Sequence, residues 1–186
     1  MIKKRRRCDW ATADLQMLRY HDEEWGTPVH DDRKLFEFLL LEGFQAGLSW
    51  STILHKRQNF REAFARFDPK KVAWFSAKDK ARLMRNAGII RNKLKIDAAI
   101  SNAKAFLAVQ KEFGSFDKYI WEFVNHKPVK TKLRDIKRLP ACTPLSDTVS
   151  ADLKKRGFKF VGSTVVYAHM QATGMVNDHL VYCWRH

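Results

Sequence analysis

Short apolar stripes at helical spacing, each preceded by a residue able to cap a helix, recur along nearly the whole chain and leave little room for any fold but a helical one. Asp31 and Asp32 precede Leu35, Phe36, Leu39 and Leu40, which share one helical face. Ser49 stands ahead of Trp50, Ile53 and Leu54. Asp68-Pro69 joins a cap to a first-turn proline before Val72 and Trp74. Ser76 and Asp79 form a capping-box pattern, with Asp in place of the usual Glu, before Leu83 and Met84. The spacing predicts a long helix over about residues 92–109, with Ile96, Ile100, Ala103 and Leu107 inward. Phe116, Ile120 and Phe123 predict another. Ser146 is read as the cap of a helix that stops at Gly157, and Ser163 as the cap of one that stops at Gly174. Alternation of strand type is confined to the short run 158–161. Residues 126–144 hold three of the five prolines and many lysines and arginines, and read as a loop-rich connection. The fold class expected is all-α, as one domain over residues 1–186.

Charge narrows the partners. The chain has 35 Lys+Arg against 20 Asp+Glu, a formal net charge of +15. A basic protein attracts polyanions, nucleic acid first among them. A ribosomal site or an acidic protein also fits the charge. No apolar run approaches the roughly 18 residues of a membrane span. Lys3, Lys4, Arg5, Arg6 and Arg7 form a basic run with no apolar stretch behind it, so they are read as a solvated tail over 1–7 rather than a secretory signal. The three cysteines, Cys8, Cys142 and Cys183, are too few and too scattered for a disulfide framework, which favours a reducing cytoplasm.

Three constellations carry chemistry. In the first, two predicted helices flank a turn at Gly88, with Arg85, Arg91, Lys93 and Lys95 around it. Glycine there permits positive φ and close backbone approach, and amides at the start of the second helix favour a phosphate oxygen. An ordinary tight connection ending in glycine fits the same residues. In the second, Cys8 and His21 near one end and His179 and Cys183 near the other offer two thiolates and two imidazoles, a set that suits closed tetrahedral zinc. His179 and Cys183 share a face if their segment is helical. Unrelated buried or exposed cysteines also fit this scatter. In the third, Glu42 stands among Leu39, Leu40, Leu41 and Phe44, near Trp50 and Tyr20. A carboxylate in such surroundings is costly to bury unpaired. With aromatic walls it makes a pocket for a flipped purine; a local cap or salt bridge is the other reading.

Several stretches together resemble one family. They include Cys8-Asp9-Trp10, Tyr20-His21-Asp22 with Glu24-Trp25-Gly26, and Leu41-Glu42-Gly43-Phe44-Gln45-Ala46-Gly47-Leu48-Ser49-Trp50. Asn86-Ala87-Gly88-Ile89-Ile90-Arg91, Lys154-Lys155-Arg156-Gly157-Phe158-Lys159-Phe160-Val161-Gly162 and Val176-Asn177-Asp178-His179 continue the series. In this order, over residues 8–183, the chain resembles the 3-methyladenine DNA glycosylase I family. That resemblance implies the helix-hairpin-helix DNA glycosylase fold, with a structural zinc on Cys8, His21, His179 and Cys183 joining the termini. It implies Glu42 as the acid that recognises the base, whether by catalysis or by binding alone. Tyr20 and Trp50 would be pocket aromatics, with Trp10 and Trp25 near them. Gly88, Ile89, Arg91 and Lys93 would contact DNA. The implied activity is monofunctional excision of 3-methyladenine from double-stranded alkylated DNA, giving the free base and an abasic site, by a monomer in the bacterial cytoplasm. The family lacks the catalytic aspartate of other helix-hairpin-helix glycosylases, and Asp117 is read as a surface or capping residue. Cys142 and the basic tail match nothing in the pattern. A nucleic-acid-binding module with a structural zinc, and a glycosylase for another alkylated purine, are the competing readings.

Overall fold

The computed structural model describes residues 5–12 and 14–186, so Lys3 and Lys4 of the basic run lie outside the described residues. Its helices are α1 (Leu15–Glu23), α2 (Asp32–Gln45), α3 (Trp50–Ala63), α4 (Pro69–Val72), α5 (Ala77–Arg85), α6 (Lys93–Phe113), α7 (Phe116–Glu122), α8 (Pro144–Lys155) and α9 (Ser163–Ala172). Most begin where a side chain satisfies an orphan amide. Asp14, Asp31, Ser49 and Asn92 accept from the amides of Met17, Lys34, Thr52 and Lys95. Ser76 and Asp79 form the expected box.

Two caps differ from expectation. Thr143, not Ser146, caps α8; Ser146 answers from the third position, and Pro144 between them supplies a helical φ without needing a donor. Ser163 is the first residue of α9, whose cap Gly162 offers no side chain. Residues 158–161 are not a strand. The Asn102 side chain bonds both the carbonyl (2.9 Å) and the amide (2.7 Å) of Lys159, taking the place of a neighbouring strand. Among the described residues the strands are the two-residue β1 (Val129–Lys130) and β2 (Val176–Asn177), paired in parallel. Trp74 is 87% exposed, although Ala73 before it is buried and Phe75 after it packs on the core: α4 ends at Val72, and the turn that follows points Trp74 outward.

Helix α2 runs through the middle of the molecule, and every residue from 35 to 44 is buried. It packs against α3, α6 and α9. Arg57 of α3 ties this centre together: it donates to Glu37 of α2 (2.6 Å) and to Glu24 after α1 (2.7 Å). A buried guanidinium is tolerable only when paired in this way. The end of α9 is locked by backbone contact. Gly174 has φ +69°, and a Cβ there would meet the Thr27 carbonyl carbon at 2.2 Å. Gly174→Ala is therefore expected to lower unfolding free energy by about 3 kcal/mol or more in urea titration. A loss under about 1 kcal/mol would show that the 27–28 and 173–175 segments separate easily.

Candidate functional site

A cavity of about 350 Å³ opens where α1, α2, α3 and α9 meet, a size typical of small-ligand sites. Trp10, Tyr20, Trp25 and Trp50 wall it, and Glu42 lies in it. Their elements explain the gathering. Tyr20 is in the last turn of α1, and Trp25 follows that helix. Glu42 is in the last turn of α2, whose C-terminal loop is short enough that Trp50 opens α3 on the same side. The rings brace one another: Tyr20 and Trp50 lie 5.2 Å apart between centroids, and Trp10 meets Trp25 edge-on at 5.0 Å.

Glu42 is 3% exposed, and its Oε2 has no hydrogen-bond partner. Burial alone pushes its carboxyl up to about 8. Tyr20 is also raised, by burial first and by the nearby Glu42 second. The indole Nε1 of Trp50 is buried without a partner as well. Unsatisfied acceptor and donor atoms in one apolar cavity are the mark of a site built for something else to complete. Sequence reading missed Met17, Gln45, Ile136, Leu139, Ala168 and Gln171 of the lining. Gln45 lay inside a quoted motif; nothing local signals Ile136 or Leu139.

Cys8, His21, His179 and Cys183 come together just behind this wall. Their potential ligand atoms all lie within 4.8 Å of one another, and all four residues are buried. Sγ of Cys183 is 3.4 Å from His21 Nε2 and 3.5 Å from His179 Nδ1; Sγ of Cys8 is 3.6 Å from His179 Nδ1. A tetrahedron with zinc–sulfur and zinc–nitrogen bonds of ordinary length has S···N edges of about 3.6 Å. The residues fit such an ion on a second count. Each imidazole has its other nitrogen on an acceptor: His21 Nδ1 on Asp22 (2.8 Å), and His179 Nε2 on the Trp25 carbonyl (2.9 Å). Asp22 is clamped by Arg7, which holds its carboxyl down at about 2. Amides of Leu180 and Arg185 donate to the two sulfurs. Burial lowers His179 to about 4, leaving a neutral ligand. The condition for a shared helical face of His179 and Cys183 is not met: the segment is a series of turns, and it converges by bending rather than by helical register.

Arg7 is thus part of this support rather than a solvated residue. Arg5 and Arg6 are exposed, with guanidinium groups over Trp184 (4.3 Å) and Tyr182 (3.8 Å). Asp117 accepts from His30 in the first turn of α7 and is not among the cavity residues. Cys142 is exposed and apart from the cluster.

The turn between α5 and α6 is present, with corrections to its detail. Gly88 does not use positive φ; it is needed because a Cβ would come within 3.0 Å of Asn59 and Asn86. Its amide is already bonded to Asn86 (2.8 Å), so it is not a free donor. The Ile89 side chain is core, at 3% exposure. Lys95 does not ring the turn: it is 8% exposed and donates to the carbonyls of Phe44 (2.9 Å) and Ala46 (2.5 Å) at the end of α2. Burial lowers its pKa. Arg85, Arg91 and Lys93 are exposed.

Residues 10–186 match the model of the methyladenine glycosylase family. The chain belongs to that family. DNA-3-methyladenine glycosylase 1 of Escherichia coli is 50% identical over 177 residues, 95% of each chain. A crystal structure of 3-methyladenine DNA glycosylase I superposes with TM-score 0.94 and 50% identity, covering 97% of this chain and 100% of that one. Another, of a substituted 3-methyladenine DNA glycosylase I in complex with 3-methyladenine, has TM-score 0.93 and 37% identity, with 96% of each chain covered.

Proposed function

We propose that the protein is a monofunctional DNA glycosylase that hydrolyses the N-glycosidic bond of 3-methyladenine in double-stranded alkylated DNA. One observation carries the reading within this family: an unpartnered Glu42 carboxylate in a cavity walled by four large aromatic rings. N3-methylation makes the base cationic in DNA. A flat cation stacks on the aromatic walls, and its exocyclic amine donates to Glu42. Trp10 and Trp25 complete the walls beside Tyr20 and Trp50.

The leaving base takes the electron pair of the C1′–N9 bond and departs neutral. A water oxygen bonds to C1′ and its proton passes to solvent, leaving an abasic site. Loss of the positive charge on the base makes departure easy, so positioning and the field of Glu42 suffice without a strong general acid. Among the described residues no lysine lines the cavity to form a covalent intermediate.

The α5–α6 turn is read as a helix-hairpin-helix element. Arg91 and Lys93 supply charge, and the first amides of α6, left over once Asn92 has capped Lys95, face a phosphate. Gly88 and Ile89 shape the turn. Cys8, His21, His179 and Cys183 would hold zinc. It would supply a cross-link between chain ends and, having four protein ligands, no bound water. A cytoplasmic monomer is the expected form; no helix among the described residues is long and apolar enough to cross a membrane.

The test is to incubate the protein with methylated duplex DNA and separate the released bases by chromatography. Release of 3-methyladenine is expected. Folded, metal-replete protein that releases none would overturn the reading in favour of a binding module, and release of another alkylated purine alone would reassign the substrate.

A further inference from the structure

The basic side chains of segment 130–138 have no part in the site described so far, yet the segment runs beside the cavity: Ile136 within it and Leu139 just after it are lining residues. Before them the chain is extended and alternates. Thr131 and Leu133 turn inward: the Thr131 amide and hydroxyl donate to Asn177 and Asp178, and the Leu133 carbonyl accepts from Val181. Lys130, Lys132 and Arg134 are therefore the outward set, and all three are exposed. Lys137 and Arg138 follow on the 3₁₀ turn Ile136–Arg138 and are exposed too.

Among the described residues none of these five cations has a carboxylate within 4.0 Å. The one acid in the segment, Asp135, is occupied in capping the amide of Lys137 (2.9 Å). Unpaired like charges repel one another, and an arrangement that keeps them together beside an opening suits a polyanion.

The α5–α6 turn is a separate element, held by other contacts. It is fastened to α3 through Lys56 and Asn59, which donate to the Ala87 and Gly88 carbonyls. Those residues lie about 9 to 14 Å along the helix from Trp50 in the cavity wall. Segment 130–138 is fastened to the C-terminal segment instead.

We propose that segment 130–138 is a second phosphate-binding face, which holds the duplex backbone at the cavity mouth independently of the α5–α6 turn. This rests on the glycosylase reading and assigns its DNA partner a second contact. The two faces would grip the backbone on two sides of the lesion, so that flipping does not release the duplex.

The experiment is the salt dependence of binding to a fluorescent undamaged duplex, measured for the full chain, for Lys130→Ala/Lys132→Ala/Arg134→Ala and for Arg91→Ala. Each phosphate contact contributes about 0.9 to the slope of log K against log salt. The triple variant is expected to flatten the slope by about 2 to 3 units and weaken low-salt affinity more than a hundredfold, with its thermal midpoint close to the parent's. A triple-variant slope within about half a unit of the parent's, while Arg91→Ala flattens it, overturns the second face and leaves the glycosylase reading intact. A parent with no salt-dependent binding at all would overturn both.

Discussion

Replacing Glu42 with Gln is expected to cost about a hundredfold in kcat/KM for 3-methyladenine excision, and to make the folded protein more stable at alkaline pH. The activity loss follows from removing the one negative charge facing a cationic base, a change of about 3 kcal/mol by analogy with other preorganised electrostatic groups. The stability gain follows from burial. In the folded protein the Glu42 carboxyl sits at about 8, against an ordinary value of 4.5. The folded state therefore keeps a proton that the unfolded chain releases between those values. Stability from this group is greatest below about pH 4.5, falls as pH rises, and reaches its full penalty of about 5 kcal/mol above pH 8. Urea unfolding of parent and Glu42→Gln at pH 5 and pH 8.5 isolates the effect, since every other titrating group cancels in the difference. The two proteins are expected to agree within about 1 kcal/mol at the lower pH and to diverge by several at the higher. A parallel pH dependence would show that Glu42 ionises freely. In activity, the parent's kcat/KM is expected to rise with pH through about 8, where half of the Glu42 carboxyl is ionised, and to level off about one unit above. A flat profile, or a Gln variant as fast as the parent, would remove Glu42 from its role.

If Cys8, His21, His179 and Cys183 hold zinc as proposed, stripping it is expected to lower the thermal midpoint by about 10 °C or more and to abolish base release. Apparent binding energies of structural zinc run to about 10 kcal/mol and beyond. Losing even about 4 of these moves the midpoint of a chain this size by roughly 8 to 16 °C. The loss should reach the cavity because the cluster touches its wall. His179 meets Trp25 edge-on at 4.7 Å between ring centroids and bonds its carbonyl, and His21 packs on Trp10 at 5.2 Å. Near-ultraviolet circular dichroism should therefore change along with the midpoint. Thiol titration gives an independent reading. Of the three cysteines only Cys142 is exposed, so loaded protein is expected to show one reactive thiol and chelated protein three. Protein that carries no zinc by elemental analysis, yet unfolds and reacts as just described for the loaded form, would reject a structural metal.

Much of the helical layout is local, and local features are legible in a sequence. Asp31, Ser49, Asp68, Ser76 and Asn92 sit beside the amides they satisfy, and the 3.6-residue period shows which face of α6 goes inward. The Cys/His cluster and the Glu42 pocket were legible as residue types, and the family resemblance picked them out. What the types lacked was convergence. Cys8 and His179 are 171 residues apart, and the bends that bring His179 and Cys183 to one point carry no helical period to read. Lys95 shows the same boundary from the other side. Its neighbours suggest a cation for the turn, but α6 packs on α2 so that its ammonium reaches the carbonyls of Phe44 and Ala46 at the open end of α2. Ile136 and Leu139 became cavity lining because β1 pairs with β2 and lays the basic segment against the C-terminus. The sequence by itself determined most of the helical segments, α1 (Leu15–Glu23) excepted, which residue types could bind a metal or a base, and the family. The tertiary structure alone decided which of those side chains meet, because burial and long-range pairing depend on the whole packed chain and leave no trace in neighbouring residues.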